Sequence, residues 1–370
     1  MIDCRSAKSR RQKVSSDALE RIVASVRPPR AARISDVQRH LDSLTKPKGS
    51  LGQLEVLALR LARIYGDPPP EWHRRVVFVL AADHGVSVHG VSAYPREVTA
   101  QMCRNYASGG AAISAICRAV GASVVAVDVG VDADLAGVPK LEHCKVRRAT
   151  RDLSAGRALT PCEVRRAIQV GWELVRDRPV PDVIALGEMG IGNTTAASAV
   201  TAALTGEDPA LIIGPGTGVG ADVVQLKVRL VRRALQRVPV NAPALRVLSE
   251  VGGLEIAGLV GVILGAASAR RAVVTDGFIA TSAALAAVRL CPAARSYLFA
   301  SHCSTEPGHH VLLKALGLRP MFDLDMRLGE GTGAALAFPI LEAATSILRH
   351  MATFESAGVS RRTPVQDGQP

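Results

Sequence analysis

The sequence predicts an α/β protein with a parallel β-sheet, because short apolar runs recur along the chain between long Ala-rich segments. Five of these runs are rich in β-branched residues and do not alternate with polar residues. They are Val76–Ala82, Ser123–Val129, Asp182–Leu186, Ala272–Thr275 and Tyr297–Ala300. Continuous apolar runs indicate strands buried on both faces, which is typical of parallel sheets. The helical periodicity between most runs predicts a doubly wound domain with helices on both faces of the sheet.

The ends of the chain predict a smaller helical domain beside this sheet. We assign residues 71–335 to the large α/β domain, and residues 34–70 together with residues 336–360 to the helical domain. Residues 1–33 contain nine Lys or Arg against three acidic residues, and we expect them to form a disordered basic arm. Residues 361–370 are expected to be a tail.

Composition and charge exclude several classes of protein. The formal net charge of +12 fits a protein whose ligands are anionic. No nucleic-acid partner is expected, because the basic arm lacks base-stacking aromatic residues and no RNA- or DNA-binding motif follows it. The most apolar segment, Leu254–Ala269, contains Glu255 and is shorter than the roughly 20 residues that a membrane requires. Seven scattered cysteines without a CxxC pair indicate reduced thiols in a cytoplasmic protein.

Polar residues and glycines follow the predicted strands, at the point where each strand ends. They are Asp83-His84-Gly85, Asp128-Val129-Gly130, Gly187-Glu188-Met189-Gly190, Asp276-Gly277 and Ser301-His302. The carboxyl ends of parallel strands lie along one edge of a sheet, where such folds bind their ligands. We therefore expect these residues to gather in one site.

The sequence GEMGIGNTT, residues 187–195, predicts a phosphate-binding loop between a strand and a helix. Gly190 and Gly192 would let backbone N–H groups approach an anion, and Asn193 and Thr194 would add hydrogen-bond donors at the helix N-terminus. The spacing fits neither a Walker A loop nor a dinucleotide fingerprint. A purely structural glycine turn remains the alternative at this point.

Two further glycine-rich loops precede predicted helices. The loop GPGTGVG, residues 214–220, opens a helix that carries Lys227, which is either a phosphate ligand or a solvated lysine. The loop RLGEGTGAA, residues 327–335, places Glu330 between two glycines and three residues after Arg327. A carboxylate at a helix N-terminus can be a simple cap. The flanking glycines expose Glu330 to a ligand and favour a functional role.

A metal site is the main alternative. The segment SHCSTEPGHH, residues 301–310, holds three histidines, and it could meet Asp83, His84 and Asp276 at the strand ends. Its spacing matches no zinc pattern. A metal-dependent hydrolase of a phosphorylated small molecule, or a nucleotide-binding regulator without turnover, therefore remain alternatives. A regulator that binds anions gains nothing from the exposed carboxylate of Glu330.

Taken together, these motifs resemble the nicotinate-nucleotide–dimethylbenzimidazole phosphoribosyltransferase family, which makes the lower nucleotide loop of cobalamin. The resemblance begins at LTKPKGSLGQLE (from Leu44) and ends at MATFESAGVS (from Met351). Between them lie, in the family's order, AADHGV, HGVSAYPREVTAQM, GGAAI, GEMGIGNTT, GPGTG, VGGLEIAG, DGFIATSAAL, SHCSTEPGH and RLGEGTGAA. The pairing of GEMGIGNTT with RLGEGTGAA is the most specific part.

The resemblance implies a Rossmann-like large domain, a smaller helical domain from both termini, and a homodimer. It implies transfer of phosphoribosyl from nicotinate mononucleotide to 5,6-dimethylbenzimidazole, the two small-molecule partners, to give nicotinate and α-ribazole 5′-phosphate. No cofactor, metal or membrane is implied.

The resemblance also implies roles for single residues. Glu330 is the catalytic base, and Glu188 supports the site and the ribose. The residues that match nucleotide-binding positions are Gly190, Gly192, Asn193, Thr194, Lys227, Arg327 and Ser304. The residues that match the benzimidazole pocket are Ser92, Tyr94 and Gln101. The chain departs from the family at Asp325, where a small residue is usual, and at Arg96, which replaces a polar residue.

Overall fold

The computed structural model describes residues 16–29, 34–216 and 218–360, with side chains from Ala18 onward in the first range. The chain divides into two compact units. The larger contains Trp72–Phe338 and the described residues up to Pro28. The smaller contains the described parts of Pro29–Glu71 and of Pro339–Pro370. These divisions fall beside the borders expected at residues 70 and 335.

A six-stranded parallel sheet forms the centre of the larger unit, as the sequence predicts. Its strands are β1 (Arg75–Ala82), β2 (Ser123–Gly130), β3 (Leu141–His143), β4 (Val183–Met189), β5 (Ala272–Thr275) and β6 (Leu298–Ala300). Their order is β3-β2-β1-β4-β5-β6, and all neighbours are parallel. The order reverses between β1 and β4, where Leu80 pairs with Glu188. Ligands of such sheets bind outside the carboxyl ends of the strands near this reversal.

Strand β3 lies outside the sequence prediction. It has three residues at the edge of the sheet and pairs only with Ala126–Asp128 of β2. Two of the three residues are the polar Glu142 and His143. A run this short and polar has no apolar pattern, so only its pairing with β2 defines it as a strand.

Helices follow most strands of the larger unit. They are α1 (Ser16–Ser25), α4 (Glu97–Ser108), α5 (Ala112–Ala119), α6 (Pro161–Arg176), α7 (Asn193–Thr205), α8 (Pro209–Ile212), α9 (Ala221–Leu235), α10 (Ala244–Val251), α11 (Leu254–Ser268), α12 (Phe278–Leu290), α13 (Pro307–Leu316) and the first part of α14 (Thr332–His350). Short 3₁₀ helices cover Gly85–His89 and Pro292–Tyr297.

Helix α11 is apolar all round because it lies in the interior, between α6 and the sheet. Glycines bring the backbones of α6 and α11 together: a Cβ on Gly171 would lie 1.8 Å from the carbonyl oxygen of Gly258. A Cβ on Gly261 would similarly lie 1.9 Å from the carbonyl oxygen of Ile168. None of the described helices has the length and apolarity that a membrane-spanning helix requires.

Helix α1 corrects the prediction that residues 1–33 form a disordered arm. Leu19, Ile22 and Val26 are buried on one face of this segment, which packs against α6 and α11. The phenol of Tyr297 also donates a 2.7 Å hydrogen bond to the carbonyl oxygen of Arg27. The prediction is wrong for residues 16–29. It relied on the many basic residues and missed the apolar face of this segment. Residues 1–15 and 30–33 lie outside the described residues.

The smaller unit contains α2 (Ile34–Ser43), α3 (Gln53–Tyr65) and the part of α14 from Pro339 onward. An antiparallel bridge between Leu44 and Thr353 joins its two chain segments. The motif LTKPKGSLGQLE belongs to this unit, where Lys46 Nζ and Glu55 Oε1 form a buried ion pair at 2.8 Å. This ion pair explains the lysine and the glutamate of the motif as structural residues. The expected tail, residues 361–370, lies outside the described residues.

Candidate active site

Loops at the carboxyl edge of β4, β5 and β6 enclose a cavity of about 110 Å³. Six of its lining residues are predicted site residues: Glu188, Gly190, Asn193, Thr194, Ser304 and Arg327. The segment before α14 contributes Arg327, Leu328 and Gly329. A larger groove of about 500 Å³, lined mainly by residues 202–207 and 238–244, contains none of the predicted residues. The smaller cavity is therefore the candidate active site.

The backbone at Glu330 is held in an unusual conformation directly after the cavity-lining segment. Gly329, Glu330 and Gly331 have φ values of 87°, 61° and 87°. A positive φ is uncommon for a residue with a side chain, and such residues cluster at functional sites. The glycines are required by close packing: a Cβ on Gly329 would lie 2.6 Å from Glu188 Oε1, and a Cβ on Gly187 would lie 2.4 Å from the carbonyl oxygen of Glu330.

Glu330 is 6% exposed, and its carboxylate faces the start of α5 rather than lining the cavity. Its Oε2 accepts a 3.4 Å hydrogen bond from the backbone N–H of Ile113. Burial raises the pKa of Glu330, while the N–H of Ile113 and the phenol of Tyr106 lower it. Tyr106 lies on α4 and is itself buried, and burial near Glu330 and Glu188 raises the pKa of its phenol well above the usual value.

The cap of α14 is Asp276 and not Glu330. Asp276 follows β5 and accepts hydrogen bonds from the backbone N–H groups of Gly331, at 3.1 Å, and Ala334, at 3.0 Å. Burial raises the pKa of Asp276 to about 7, against the lowering effect of these N–H groups. The interpretation of Glu330 as a cap of its own helix is therefore wrong.

Glu188 lies at the end of β4 with its carboxyl group buried. Its Oε2 accepts a short hydrogen bond from the side-chain amide of Asn193. Burial raises the pKa of Glu188 well above the usual range, and the nearby carboxylates of Asp276, Glu255 and Glu330 raise it further. The environment of Glu188 thus favours its protonated, neutral form.

The GEMGIGNTT loop is held against β1. A Cβ on Gly190 would lie 2.2 Å from the carbonyl oxygen of Ala82, and the N–H of Ile191 donates to Thr99 Oγ1 at 3.1 Å. Gly192 has a φ of 94° at the start of α7 and packs against His84 rather than lining the cavity. The close contacts fix the loop so that the first residues of α7 border the cavity.

Lys227 lies on α9 and is 1% exposed, so it is not a solvated lysine. Its Nζ donates a 3.4 Å hydrogen bond to Thr194 Oγ1. It also lies beside Gly216, where a Cβ would stand 3.1 Å from the ammonium. Burial lowers the pKa of Lys227, and the Glu306 carboxylate raises it. A buried ammonium beside a helix N-terminus and a glycine loop suits an anionic ligand. Thr217 of this loop lies outside the described residues.

Ser304, Glu306 and Arg327 line the cavity near this ammonium. Glu306 Oε1 accepts a 2.9 Å hydrogen bond from the N–H of Gly216, and the N–H of Glu306 donates to Ser304 Oγ at 3.4 Å. Burial raises the pKa of Glu306, and the positive charges of Lys227 and Arg327 lower it. Arg327 therefore lowers the pKa of Glu306. The pKa of Glu330 is lowered by Ile113 and Tyr106 instead.

Comparison with known proteins identifies the family to which the chain belongs. A family model described as "Phosphoribosyltransferase" matches residues 26–359. A protein of Desulforamulus reducens named nicotinate-nucleotide–dimethylbenzimidazole phosphoribosyltransferase is 47% identical over 352 residues, which are 93% of this chain and 99% of that protein. The chain belongs to this phosphoribosyltransferase family. The family predicted from the motifs is thereby confirmed.

The similar proteins include one with a solved crystal structure. A protein of Thermus thermophilus with the same name is 50% identical over 324 residues, which are 87% of this chain and 96% of the relative. The crystal structure of CobT from Thermus thermophilus matches with a TM-score of 0.86 and 48% identity. That match covers 89% of this chain and 99% of the crystallised chain.

The three residues predicted to form the benzimidazole pocket do not line the cavity. Ser92, Tyr94 and Gln101 lie just before or within α4, and the Tyr94 side chain is 56% exposed. Ser92 Oγ accepts a 3.2 Å hydrogen bond from the N–H of Tyr94, and Gln101 is exposed. The same helix carries Tyr106 beside Glu330. The assignment of Ser92, Tyr94 and Gln101 to an azole pocket stays a prediction.

The two departures from the family pattern have structural explanations of different kinds. Asp325 has a φ of 52°, in the left-handed region that glycine and a few short polar residues tolerate. Arg96 pairs with Asp132 at 3.1 Å and lies 4.0 Å from Asp83.

The histidines of this phosphoribosyltransferase do not form a metal centre among the described residues. His84 Nε2 lies 2.8 Å from Glu255 Oε1 in a fully buried pair. Burial lowers the pKa of His302 to about 4 and that of His309 to about 3, so both rings are neutral. His309 accepts a 3.0 Å hydrogen bond from the N–H of Ser304. These histidines have structural partners, and the metal-hydrolase alternative is not favoured.

Three contributors to the site lie outside the predicted set. Asp276 was visible as a polar residue after a strand, but its role as the cap of α14 depends on tertiary contact. Glu306 was visible only inside a histidine-rich segment. Tyr106 had no signal, because it lies at an ordinary position of a helix, and its closeness to Glu330 arises from the packing of α4.

Proposed function

We propose that this chain transfers the phosphoribosyl group of nicotinate mononucleotide to 5,6-dimethylbenzimidazole, giving nicotinate and α-ribazole 5′-phosphate for the nucleotide loop of cobalamin. Its relatives carry this reaction in their names at 44–50% identity. One observation in the chain itself carries the proposal. Glu330 is held at positive φ between two glycines directly after the cavity-lining Leu328, and the buried ammonium of Lys227 donates to the cavity-lining Thr194.

The reaction is a single displacement at C1′ of the ribose. A ring nitrogen of the azole forms a bond to C1′, and the C1′–N bond to nicotinate breaks with its electron pair passing to the nicotinate ring. Because the leaving group is a pyridinium, it departs as a neutral ring and needs no acid. The azole must lose its N–H proton, so one general base suffices. Inversion at C1′ gives the α-linked product, and no step requires a metal or cofactor.

Glu330 is the group that we assign as this base. It directly follows the cavity-lining Leu328 and Gly329, its side chain is buried, and it does not cap α14, because Asp276 does. Glu188 is less suited to accept a proton, since burial and three neighbouring carboxylates favour its neutral form. A neutral Glu188 carboxyl group can instead donate a hydrogen bond to a ribose oxygen, which fits its predicted supporting role.

The nucleotide occupies the opposite end of the cavity in this proposal. Lys227, Thr194 and Arg327 provide positive charge and donors for the phosphate, and Asn193 and Ser304 lie where the ribose would pass. Gly190 and Gly192 shape the loop that presents the N-terminus of α7. Charge-assisted hydrogen bonds of this kind are the strong ones in phosphate sites.

The azole end and the assembly state are the remaining parts of the proposal. We assign Ser92, Tyr94 and Gln101 to the benzimidazole, on the segment that leads into the helix carrying Tyr106. The enzyme is proposed to act as a homodimer, which light scattering of the purified protein would measure directly.

The deciding experiment incubates the protein with nicotinate mononucleotide and dimethylbenzimidazole and follows both products by chromatography and mass spectrometry. We expect free nicotinate to appear only when the azole is present, in equal amounts with α-ribazole 5′-phosphate, and without loss on adding EDTA. Release of inorganic phosphate or ribose 5-phosphate without azole, abolished by EDTA, would instead identify a metal-dependent hydrolase.

A further inference from the structure

The carboxylate of Glu306 accepts a hydrogen bond from a backbone N–H that a bound phosphate would also use. Its Oε1 accepts a 2.9 Å hydrogen bond from the N–H of Gly216, in the glycine loop beside the Lys227 ammonium. The other carboxylate oxygen lies against Gly214, where a Cβ would stand 2.5 Å away. The side chain is 6% exposed, so this carboxylate is enclosed in the site rather than placed at its rim.

Two cations act on this carboxylate from different elements of the fold. Lys227 lies on α9 and Arg327 in the segment before α14, and the positive charges of both stabilise the negative form of Glu306. Glu188 from β4 and the neutral His302 after β6 line the same cavity. Burial raises the pKa of Glu306 and the two cations lower it, so Glu306 is the carboxylate on which both positive charges act.

A phosphate and the Glu306 carboxylate cannot both use these groups. Both are acceptors, and the Gly216 N–H is a single donor. Two negative groups that share one desolvated site also repel each other. Binding of a phosphomonoester at Lys227 and Gly216 consequently requires the carboxylate to leave its present hydrogen bond.

We propose that Glu306 is a specificity-determining residue of the nucleotide site, an internal anion that holds the phosphate-binding groups until a phosphomonoester displaces it. The inference rests on the proposed function, because it takes the ligand to be a nucleoside monophosphate. It has two consequences. The site stays neutralised and ordered when empty, and nucleotide affinity is lower than Lys227 and Arg327 alone would give, which helps a phosphorylated product to leave.

The test measures binding to the full-length protein by calorimetry, with inorganic phosphate, nicotinate mononucleotide and nicotinate riboside as three separate probes. Glu306→Gln keeps the shape of the side chain and removes its charge. We expect this variant to bind phosphate and the mononucleotide about tenfold more tightly, the effect of removing one competing charge-assisted hydrogen bond. Binding of the riboside, which has no phosphate, should be unchanged.

Glu207→Gln is the matched control, because Glu207 is exposed and the substitution removes the same charge from the same unit. It should leave all three affinities unchanged, which separates local displacement from the effect of net charge. Should Glu306→Gln not fold, Glu306→Asp shortens the carboxylate away from the Gly216 N–H and should also bind phosphate more tightly.

Two results would overturn the inference. Equal or weaker phosphate binding by the folded variant would show that Glu306 does not compete for the site. Weaker binding of the mononucleotide and the riboside alike would show that the carboxylate accepts hydrogen bonds from ribose hydroxyls instead. The proposed function fails separately, if the unaltered protein binds inorganic phosphate but neither binds nor converts nicotinate mononucleotide.

Discussion

The surroundings of Lys227 and those of Glu188, here called the two ends of the site, are about equally buried but differ in the charge that they bury. At one end the ammonium of Lys227 is 1% exposed and is balanced by Glu306. At the other end Glu188, Glu330 and Asp276 bring three carboxyl groups together. Burial drives both ends toward neutral forms, lowering the pKa of Lys227 and raising those of the carboxyl groups.

This difference indicates how one cavity can bind an anion and remove a proton. At the Lys227 end, the ammonium and the nearby Arg327 provide positive charge for the phosphate of a nucleotide. At the carboxyl end, burial and repulsion among the acids favour protonated Glu188, and burial raises the pKa of Asp276 to about 7. Burial raises the pKa of Glu330 as well, but the N–H of Ile113 and the phenol of Tyr106 lower it, and we propose Glu330 as the carboxylate that accepts the azole proton.

Replacing Glu330 tests the carboxyl end and should have the largest effect. Glu330→Gln keeps the shape and the hydrogen bond from Ile113 but removes the base. We expect turnover to fall by ~10² to 10⁴, the usual contribution of a general base, with little change in nucleotide affinity. Steady-state kinetics and calorimetry on the same preparation measure both quantities.

The melting temperature of the same variant provides the control. A purely structural carboxylate at the start of α5 predicts a stability loss of ~0.3 to 1 kcal/mol with near-normal turnover. Normal turnover with a lowered melting temperature would remove the catalytic assignment from Glu330, and Glu188 would become the next candidate base.

Replacing Lys227 tests the phosphate end and should have the second largest effect. Lys227→Met keeps most of the buried volume and removes the ammonium. A charge-assisted hydrogen bond contributes roughly 1.5 to 3 kcal/mol, so kcat/KM for the mononucleotide should fall by roughly 10- to 150-fold. Turnover of nicotinate riboside, which we expect to be poor because it has no phosphate, should not fall further. Equal losses for both substrates would mean that Lys227 does not act through the phosphate.

Replacing Tyr106 should change the pH dependence more than the maximal rate. The phenol lowers the pKa of Glu330, so in Tyr106→Phe that pKa rises and the base is protonated up to a higher pH. The acid limb of the kcat/KM profile should move to higher pH, while the rate at alkaline pH stays near that of the unaltered enzyme. Profiles from about pH 5 to about pH 9 bracket this range. A limb that does not move would show that Tyr106 leaves Glu330 unaffected.

Deleting the N-terminal region should have the smallest effect on turnover. Deleting residues 1–28 removes the buried Leu19, Ile22 and Val26 of the larger unit. Each such side chain contributes up to about 1.5 to 3 kcal/mol by burial, so the melting temperature should fall while turnover per folded molecule stays nearly intact. Deleting residues 1–15 alone is the control and should leave the melting temperature unchanged. Equal melting temperatures for both deletions would contradict the docking of α1.

The sheet was predictable because its central strands are buried on both faces. Val76–Ala82 and Asp182–Leu186 are apolar almost throughout, and the structure places them as neighbours β1 and β4. The short edge strand β3 and the amphipathic α1 were not predictable in the same way. β3 is defined by hydrogen bonds to β2, and the apolar face of α1 is interrupted by basic and acidic residues.

By itself the sequence determined the fold class, the family and the loops that meet at the carboxyl edge, because apolar runs and glycine spacings are local properties. It also singled out Glu330, since a carboxylate between two glycines is visible without a structure. Only the tertiary structure decided that Asp276 caps α14, that Tyr106 lies beside Glu330 and that Glu306 holds the Gly216 N–H. These relations join residues from separate strands, helices and loops. Their distances and burial, and hence the pKa shifts, arise only when the chain is packed.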